Sequence, residues 1–192
     1  MTWAAVILTG GRARRLGGTD KGALEHRGRT LLQHALDAVG RAAETVVVGP
    51  EVSLQRSVTF ARESPPGGGP LAGLAAGVAA LEHDHELVVV LAVDMPHVSD
   101  QTVRRLLAAA NGVDAAWLTD AHGRRQLAAA VRPSLVPSAA EADGVPMRTL
   151  MNAGSSRDVA SVGREADDVD TWADVTRLRG GEPPGAASPP QT

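Results

Sequence analysis

The fold is decided by Trp3-Ala4-Ala5-Val6-Ile7-Leu8 and the stretch that follows it, Thr9-Gly10-Gly11-Arg12-Ala13-Arg14-Arg15-Leu16-Gly17-Gly18-Thr19-Asp20-Lys21-Gly22. The first six residues form a short apolar run and read as a buried strand. A strand emptying into a glycine-rich, basic loop is a recurrent way to hold phosphates, because glycines let backbone N–H groups approach and cations neutralise the charge. Arg12, Arg14, Arg15 and Lys21 face a single carboxylate, Asp20, inside a chain whose net charge is −3. That local contrast makes the loop the place to look for an anionic ligand. A solvated Gly/Arg turn is the plain alternative. The loop's place directly after a first strand, with a lysine at its end, favours phosphate.

Working outward, Thr30 is a candidate N-cap with Gln33 three residues on, a capping box ahead of Leu31, Leu32, Ala35, Leu36 and Val39 on one helical face. Residues 44–49 carry a second strand, ended by Gly49-Pro50, and residues 57–62 a third. The segment Glu63-Ser64-Pro65-Pro66-Gly67-Gly68-Gly69-Pro70 can be neither helix nor central strand. Helical spacing restarts at Leu71, Leu74, Val78 and Leu81. Residues 86–93 are a continuous Leu/Val run, as expected of a central parallel strand covered on both faces. The run stops at Asp94-Met95-Pro96, and Ser99 caps the next helix. Strand–helix alternation over the first 110 residues implies an open, mostly parallel sheet with helices on both faces. Ligands in such sheets sit beyond the carboxyl ends of the strands, at the switch point, which puts the Gly10 loop and Asp94 on one edge.

The second half is less regular. Strands are expected at 113–118 and 126–132, with a polar turn between them, a short helix at 133–140 and a helical turn at 146–151. Residues 159–162 and 168–170 read as extended, and 171–178 as a last helix with Thr171 as cap and Asp174 at N3. Residues 180–192 form a Gly/Pro tail expected to be disordered. With 43% hydrophobic residues the chain is globular, and Phe60 and three tryptophans are its only aromatics, so the core is aliphatic. The acidic balance and scarcity of stacking aromatics argue against nucleic acid as a partner. The absence of cysteine excludes disulfides, thiolate nucleophiles and Cys-based metal sites. No run is long and apolar enough for a membrane span and no signal peptide is evident, so a cytoplasmic protein is expected.

The loop has neither a Walker A lysine, since Gly22 follows Lys21, nor a G-x-G-x-x-G. Arg offers forked contacts to phosphate oxygens and Lys a movable point charge, so Arg15 and Lys21 are the candidates for a triphosphate and its leaving group. Asp94 ends the most apolar strand and suits a hard cation such as Mg2+, which takes one or two carboxylates plus substrate phosphates; a turn-capping Asp is the plain alternative. Asp167, Asp168 and Asp170 could supply a second carboxylate. The glycines before Pro70 suit a backbone lying against a flat base, or a flexible connection. The six histidines show no ligand spacing, and no serine sits in a G-x-S-x-G elbow. Arg124, Arg125 and Arg148 are either solvated charges or contacts to an acceptor phosphate.

Three segments together, Leu8–Lys21, Gly-Pro-Leu-Ala-Gly-Leu at 69–74 and Val-Asp-Met-Pro at 93–96, resemble the MobA-type molybdenum cofactor guanylyltransferases. The resemblance runs from about Trp3 to Leu178. It implies a three-layer Rossmann-like α/β sheet in one nucleotidyltransferase domain (1–179), with a nucleotide-binding half (1–110) and an acceptor-binding half (111–179). It implies transfer of GMP from GTP to the terminal phosphate of molybdopterin with release of pyrophosphate, no membrane, and other proteins of molybdenum-cofactor biosynthesis as partners. Leu8, Thr9, Gly10, Gly11 and Lys21 would hold the nucleotide with Gly49, Ser64 and Gly69, while Asp94 would hold Mg2+. Asp168 and Asp170 replace two asparagines of the family pattern, keeping oxygen ligands and adding charge. Gly49 and Ser64 also depart from it, at positions near the base. The alternatives are transfer from CTP, another phosphorylated acceptor, and a nucleotide-binding regulatory module without transfer.

Overall fold

A computed structural model of the chain describes residues 2–10 and 21–178. Seven strands make one sheet in the order β5-β4-β1-β6-β8-β7-β9. They are β1 (Trp3–Leu8), β4 (Glu44–Val48), β5 (Thr59–Ala61), β6 (Leu87–Ala92), β7 (Ala115–Thr119), β8 (Arg125–Val131) and β9 (Ser156–Ala160). β1 pairs in parallel with both β4 and β6, whereas β8 runs antiparallel to β6 and β7. β9 returns parallel to β7. All strands but β8 therefore point the same way, and the mostly parallel α/β sheet expected from the sequence is present.

The period-two geometry of a strand sends alternate side chains to opposite faces. Ala5 and Ile7 of β1, with Val89 and Leu91 of β6, enter one core with Leu31 and Leu36 of α1 (Leu31–Ala38), Val103 and Leu106 of α3 (Asp100–Ala109), and Val175 of α6 (Trp172–Leu178). Ala4, Val6 and Leu8, with Val88 and Val90, enter the other. There they meet Leu71 and Leu74 of α2 (Pro70–Ala79), Ala142 of α4 (Ala139–Ala142) and Leu150 of α5 (Met147–Met151). Helices thus cover both faces. β1 and β6 read as unbroken apolar runs because both their faces are buried.

Local signals hold where expected. Thr30 and Gln33 form the capping box of α1, and Ser99 caps α3 with Thr102 at N3. Pro70 occupies the first turn of α2, where its missing N–H costs nothing. Thr171 and Asp174 exchange backbone and side-chain hydrogen bonds at the start of α6.

Two expectations need correction. Residues 133–140 do not form one helix: Pro133–Leu135 is a 3-10 turn, the chain then extends, and α4 starts separately behind its own Ser138–Glu141 box. The last strand is Ser156–Ala160 rather than 159–162, its charged residues being those of an exposed sheet edge. Residues 168–170 pair in no strand, and Val169 N–H ties them to the sheet edge by donating to the Asp94 carbonyl at 3.0 Å. The hairpin of β2 (Glu25–His26) and β3 (Arg29–Thr30) was missed. Its two turn residues, Arg27 and Gly28, both have positive φ, and Arg-Gly is not the usual Asn-Gly signal. The tail 180–192 lies outside the described residues. Among the described residues no helix is long and apolar enough to cross a membrane.

Candidate active site

The chain leaves β1 at the centre of the sheet and has neighbours from opposite directions, β4 and β6, on its two sides. The carboxyl ends of these strands are laced together. Val93 N–H donates to the Leu8 carbonyl at 3.0 Å, while Thr9 N–H and Thr9 Oγ1 both donate to the Val48 carbonyl at 3.0 Å. Gly49 N–H then reaches the Ala61 carbonyl of β5 at 2.9 Å. Gly49 has φ +154, and a Cβ there would stand 1.8 Å from Thr9 Oγ1. Only glycine lets these two strand ends close.

Lys21 opens a 3-10 turn that follows the glycine-rich loop. Its Nζ donates to Asp94 Oδ2 at 2.7 Å and to Asp170 Oδ1 at 2.5 Å. The three side chains come from places 73 and 149 residues apart in the chain, and Lys21 is only 13% exposed. Asp94 stands two residues past β6. Asp170 is placed by the α6 cap, since Asp170 N–H and Thr171 N–H both donate to Asp174 Oδ2, at 3.1 and 2.7 Å. Burial would lower the Lys21 pKa, but its bonds to Asp170 and Asp94 outweigh that and hold it above the ordinary value. Asp168 is pushed up, first by burial and then by the carboxylates of Asp170 and Asp94. The edge therefore gathers negative charge around one ammonium.

Two cavities flank this cluster. One, of about 620 Å³, is lined by Leu8, Gly10, Val48, Glu63, Gly69 and Gly73, among others. Its walls come from the ends of β1 and β4, the Pro/Gly segment and the first turns of α2, whose N-terminus has no side-chain cap. The other, of about 410 Å³, has Asp168, His97, Asp120, Arg124, Arg164 and Arg177 in its walls. It lies beyond the carboxyl ends of β7 and β9.

A family profile, the MobA-like NTP transferase domain, matches residues 5–159, most of the chain. The chain belongs to this family. One relative, a molybdenum cofactor guanylyltransferase from Pseudomonas fluorescens (strain SBW25), is 36% identical over 100 residues, covering 50% of this chain and 49% of the relative. The chain thus spans about half the length of that curated relative. Among solved structures, the molybdopterin-guanine dinucleotide biosynthesis protein A from Archaeoglobus fulgidus superposes with a TM-score of 0.73 at 20% identity, covering 92% of this chain and 97% of that one. The Rv0371C protein of Mycobacterium tuberculosis H37Rv, solved with manganese, superposes with a TM-score of 0.74 at 18% identity, covering 94% and 99%. At these identities the two structures speak for the fold.

The MobA-like segment contains Lys21 and Asp94 and stops short of Asp168 and Asp170. Of the residues singled out in the sequence, Lys21, Asp94 and Asp170 meet directly, with Asp168 beside them. Leu8, Gly10 and Gly69 line the first cavity; Thr9 and Gly49 brace its rim against each other. Ser64 is exposed and outside the lining, which takes Glu63 and Pro66 from either side of it. Gly11 and Arg15 lie outside the described residues. Of the three arginines weighed for an acceptor, Arg124 lines the second cavity. Arg125 is spent on Asp158, Ser156 and the Met151 carbonyl, and Arg148 is exposed on α5. Sequence reasoning missed Glu63, although a carboxylate opening the Pro/Gly segment was a visible signal. It also missed His97, Arg164 and Arg177, which only the return of β9 and α6 brings together. Among the described residues no three His, Asp or Glu side chains are gathered ready to hold a metal. An ammonium lies between Asp94 and Asp170 instead. A cation already stands against two hard oxygen donors, so the donor set fits a divalent ion such as Mg2+.

Proposed function

We propose that the protein is a nucleotidyltransferase that moves GMP from GTP to the terminal phosphate of molybdopterin, with Mg2+, releasing pyrophosphate. The observation that carries this reading is the Lys21–Asp94–Asp170 cluster at the switch point, with a cavity for a donor on one side and for an acceptor on the other. The names of the guanylyltransferase and dinucleotide-biosynthesis relatives support the choice of substrates, and the manganese complex of the mycobacterial protein supports a divalent ion.

In such a transfer an acceptor phosphate oxygen attacks the α-phosphorus of the nucleotide, and the bond to the bridging oxygen of the β-phosphate breaks. Both reactants are anions, so charge neutralisation and in-line positioning do most of the work and no protein nucleophile is needed. Asp94 and Asp170 would hold Mg2+, with Asp168 adjacent. When bound, the ion neutralises and orients nucleotide phosphate oxygens. Lys21, with Arg15 from the loop, would take the charge that develops on the departing pyrophosphate. Leu8, Thr9, Gly10 and Gly11 would face the nucleotide with backbone, and Gly69 would let α2 approach it. Arg124, Arg164 and Arg177, which pair with Asp120, Asp167 and Asp174, would re-aim from these partners to meet the acceptor's phosphate.

Glu63 favours guanine over cytosine as the base. A carboxylate is an acceptor only, and guanine alone presents two adjacent donors, N1–H and the N2 amino group, to one carboxylate. Cytosine would turn its N3 lone pair toward the same oxygens.

Asp94→Ala should leave the fold intact and lower pyrophosphate release from GTP in the presence of molybdopterin by at least ~10². Near-normal turnover in that variant would sink the assignment, and no release by the wild type would leave a nucleotide-binding module.

A further inference from the structure

The chain has nineteen Lys and Arg residues, and Lys21 is the only lysine among them. That single ammonium stands 2.7 Å from Asp94 Oδ2 and 2.5 Å from Asp170 Oδ1. The choice of residue has physical content. A guanidinium grips carboxylates through a rigid fork, whereas an ammonium is a compact point charge on a flexible stem that can let go and re-aim. A divalent cation bound through these carboxylates would lie within a few ångström of the ammonium that they already hold, and like charges that close repel strongly.

We propose that Lys21 is a place-holder: in the empty protein its ammonium occupies the seat of the divalent ion between Asp94 and Asp170, and the ion's arrival releases Lys21 toward the phosphates. The inference rests on the transferase reading for the identity of those phosphates, but the exchange itself can be tested without turnover. The ion and Lys21 compete for one seat, so anything that draws Lys21 away opens it. Nucleotide phosphates, by attracting the ammonium, raise the site's affinity for the ion. By reciprocity the ion raises the affinity for phosphates. Lys21 meanwhile offsets part of the negative charge that Asp94 and Asp170 bring to this edge.

A sole lysine makes the test direct. Protein labelled with [ε-13C]lysine, carrying no lysine in any tag, gives one lysine signal. Mg2+ alone, without nucleotide, should shift that signal saturably in the wild type and leave it unmoved in Asp94→Asn. In parallel, Lys21→Met, checked for folding by circular dichroism, should bind Mn2+ at least about tenfold more tightly than wild type by electron paramagnetic resonance, since a like charge has left the seat. A lysine signal that stays put once Mn2+ titration shows the wild-type site filled would overturn the exchange. Equal or weaker Mn2+ binding by Lys21→Met would do so too. Pyrophosphate release is scored separately. Exchange without release retires the transferase reading alone; release without exchange retires the place-holder alone.

Discussion

His26 is almost fully buried although it can carry charge. Its ring packs 5.4 Å from that of His34 and 5.6 Å, edge-on, from that of His97. Burial, then the charges of His34 and Arg27, hold its pKa below the ordinary 6.5. His97 is lowered as well, by burial and then by Arg164. A histidine depressed in the folded state contributes stability that is full above 6.5 and is lost as pH falls through the lower folded value, because the unfolded chain takes up the proton first. The protein should therefore lose thermal stability on acidification from pH 7.5 to 5.5. His26→Gln, which cannot charge, should show a smaller drop in Tm over that interval, and an unchanged drop would place the acid sensitivity elsewhere. At this scale the sequence was a fair guide to which residue types matter and a poor one to their partners. Lys21, Asp94 and Asp170 were each singled out, yet nothing in their spacing said that one ammonium would bridge the other two. Glu63 was passed over for its neighbour Ser64 because which of the two residues lines a cavity depends on the path of a Pro/Gly segment, not on composition.

α2 shows how an element's sequence answers to its neighbours. Gly73 and Gly77 lie one helical turn apart on the side facing the sheet. A Cβ at Gly77 would stand 2.5 Å from Val6 Cγ1 and 3.0 Å from Val48 Cγ2. In an exposed helix Gly→Ala stabilises by about 1 kcal/mol through propensity. Here overpacking, typically about 1–3 kcal/mol, opposes it. Val6 and Val48 are fully buried strand residues with little room to move, so overpacking wins. Gly77→Ala should lower Tm rather than raise it in a thermal melt, and should loosen the wall of the larger cavity. The caps of α1, α3 and α6 were legible because they depend on a few consecutive residues. The breaks at 133–140 and the edge strand β9 were not, since the first depends on how Pro133 and Ser138 interrupt the backbone and the second on a partner strand, β7, found only after folding.

On the scale of the whole molecule, the two halves of the chain share one sheet. β8 carries the sheet across from the first half by pairing antiparallel with β6, and the segment leading into α6 then returns Asp168 and Asp170 to the edge where β1 and β6 end. The two cavities and the Lys21–Asp94–Asp170 cluster thereby fall along one rim. A ligand that binds only the folded protein raises its melting temperature, by an amount worth about 2.7 kcal/mol at a hundred times Kd. GTP with Mg2+ should raise Tm more than GTP in EDTA, and more than CTP, ATP or UTP with Mg2+. A larger shift with CTP would move the base assignment to cytosine.

By itself the sequence determined the class of this protein: a strand running into a basic glycine loop, an apolar central strand ending in Asp-Met-Pro, and strand–helix alternation that permits few architectures. These follow from local chemistry, namely backbone freedom at glycine, side-chain periodicity and capping, which act over a few residues. The tertiary structure alone decided the company each residue keeps. Bringing Lys21 to Asp94 and Asp170 and closing Gly49 on Thr9 are long-range contacts. Their geometry is set by the sheet's strand order and the close packing of α2, which no local pattern encodes.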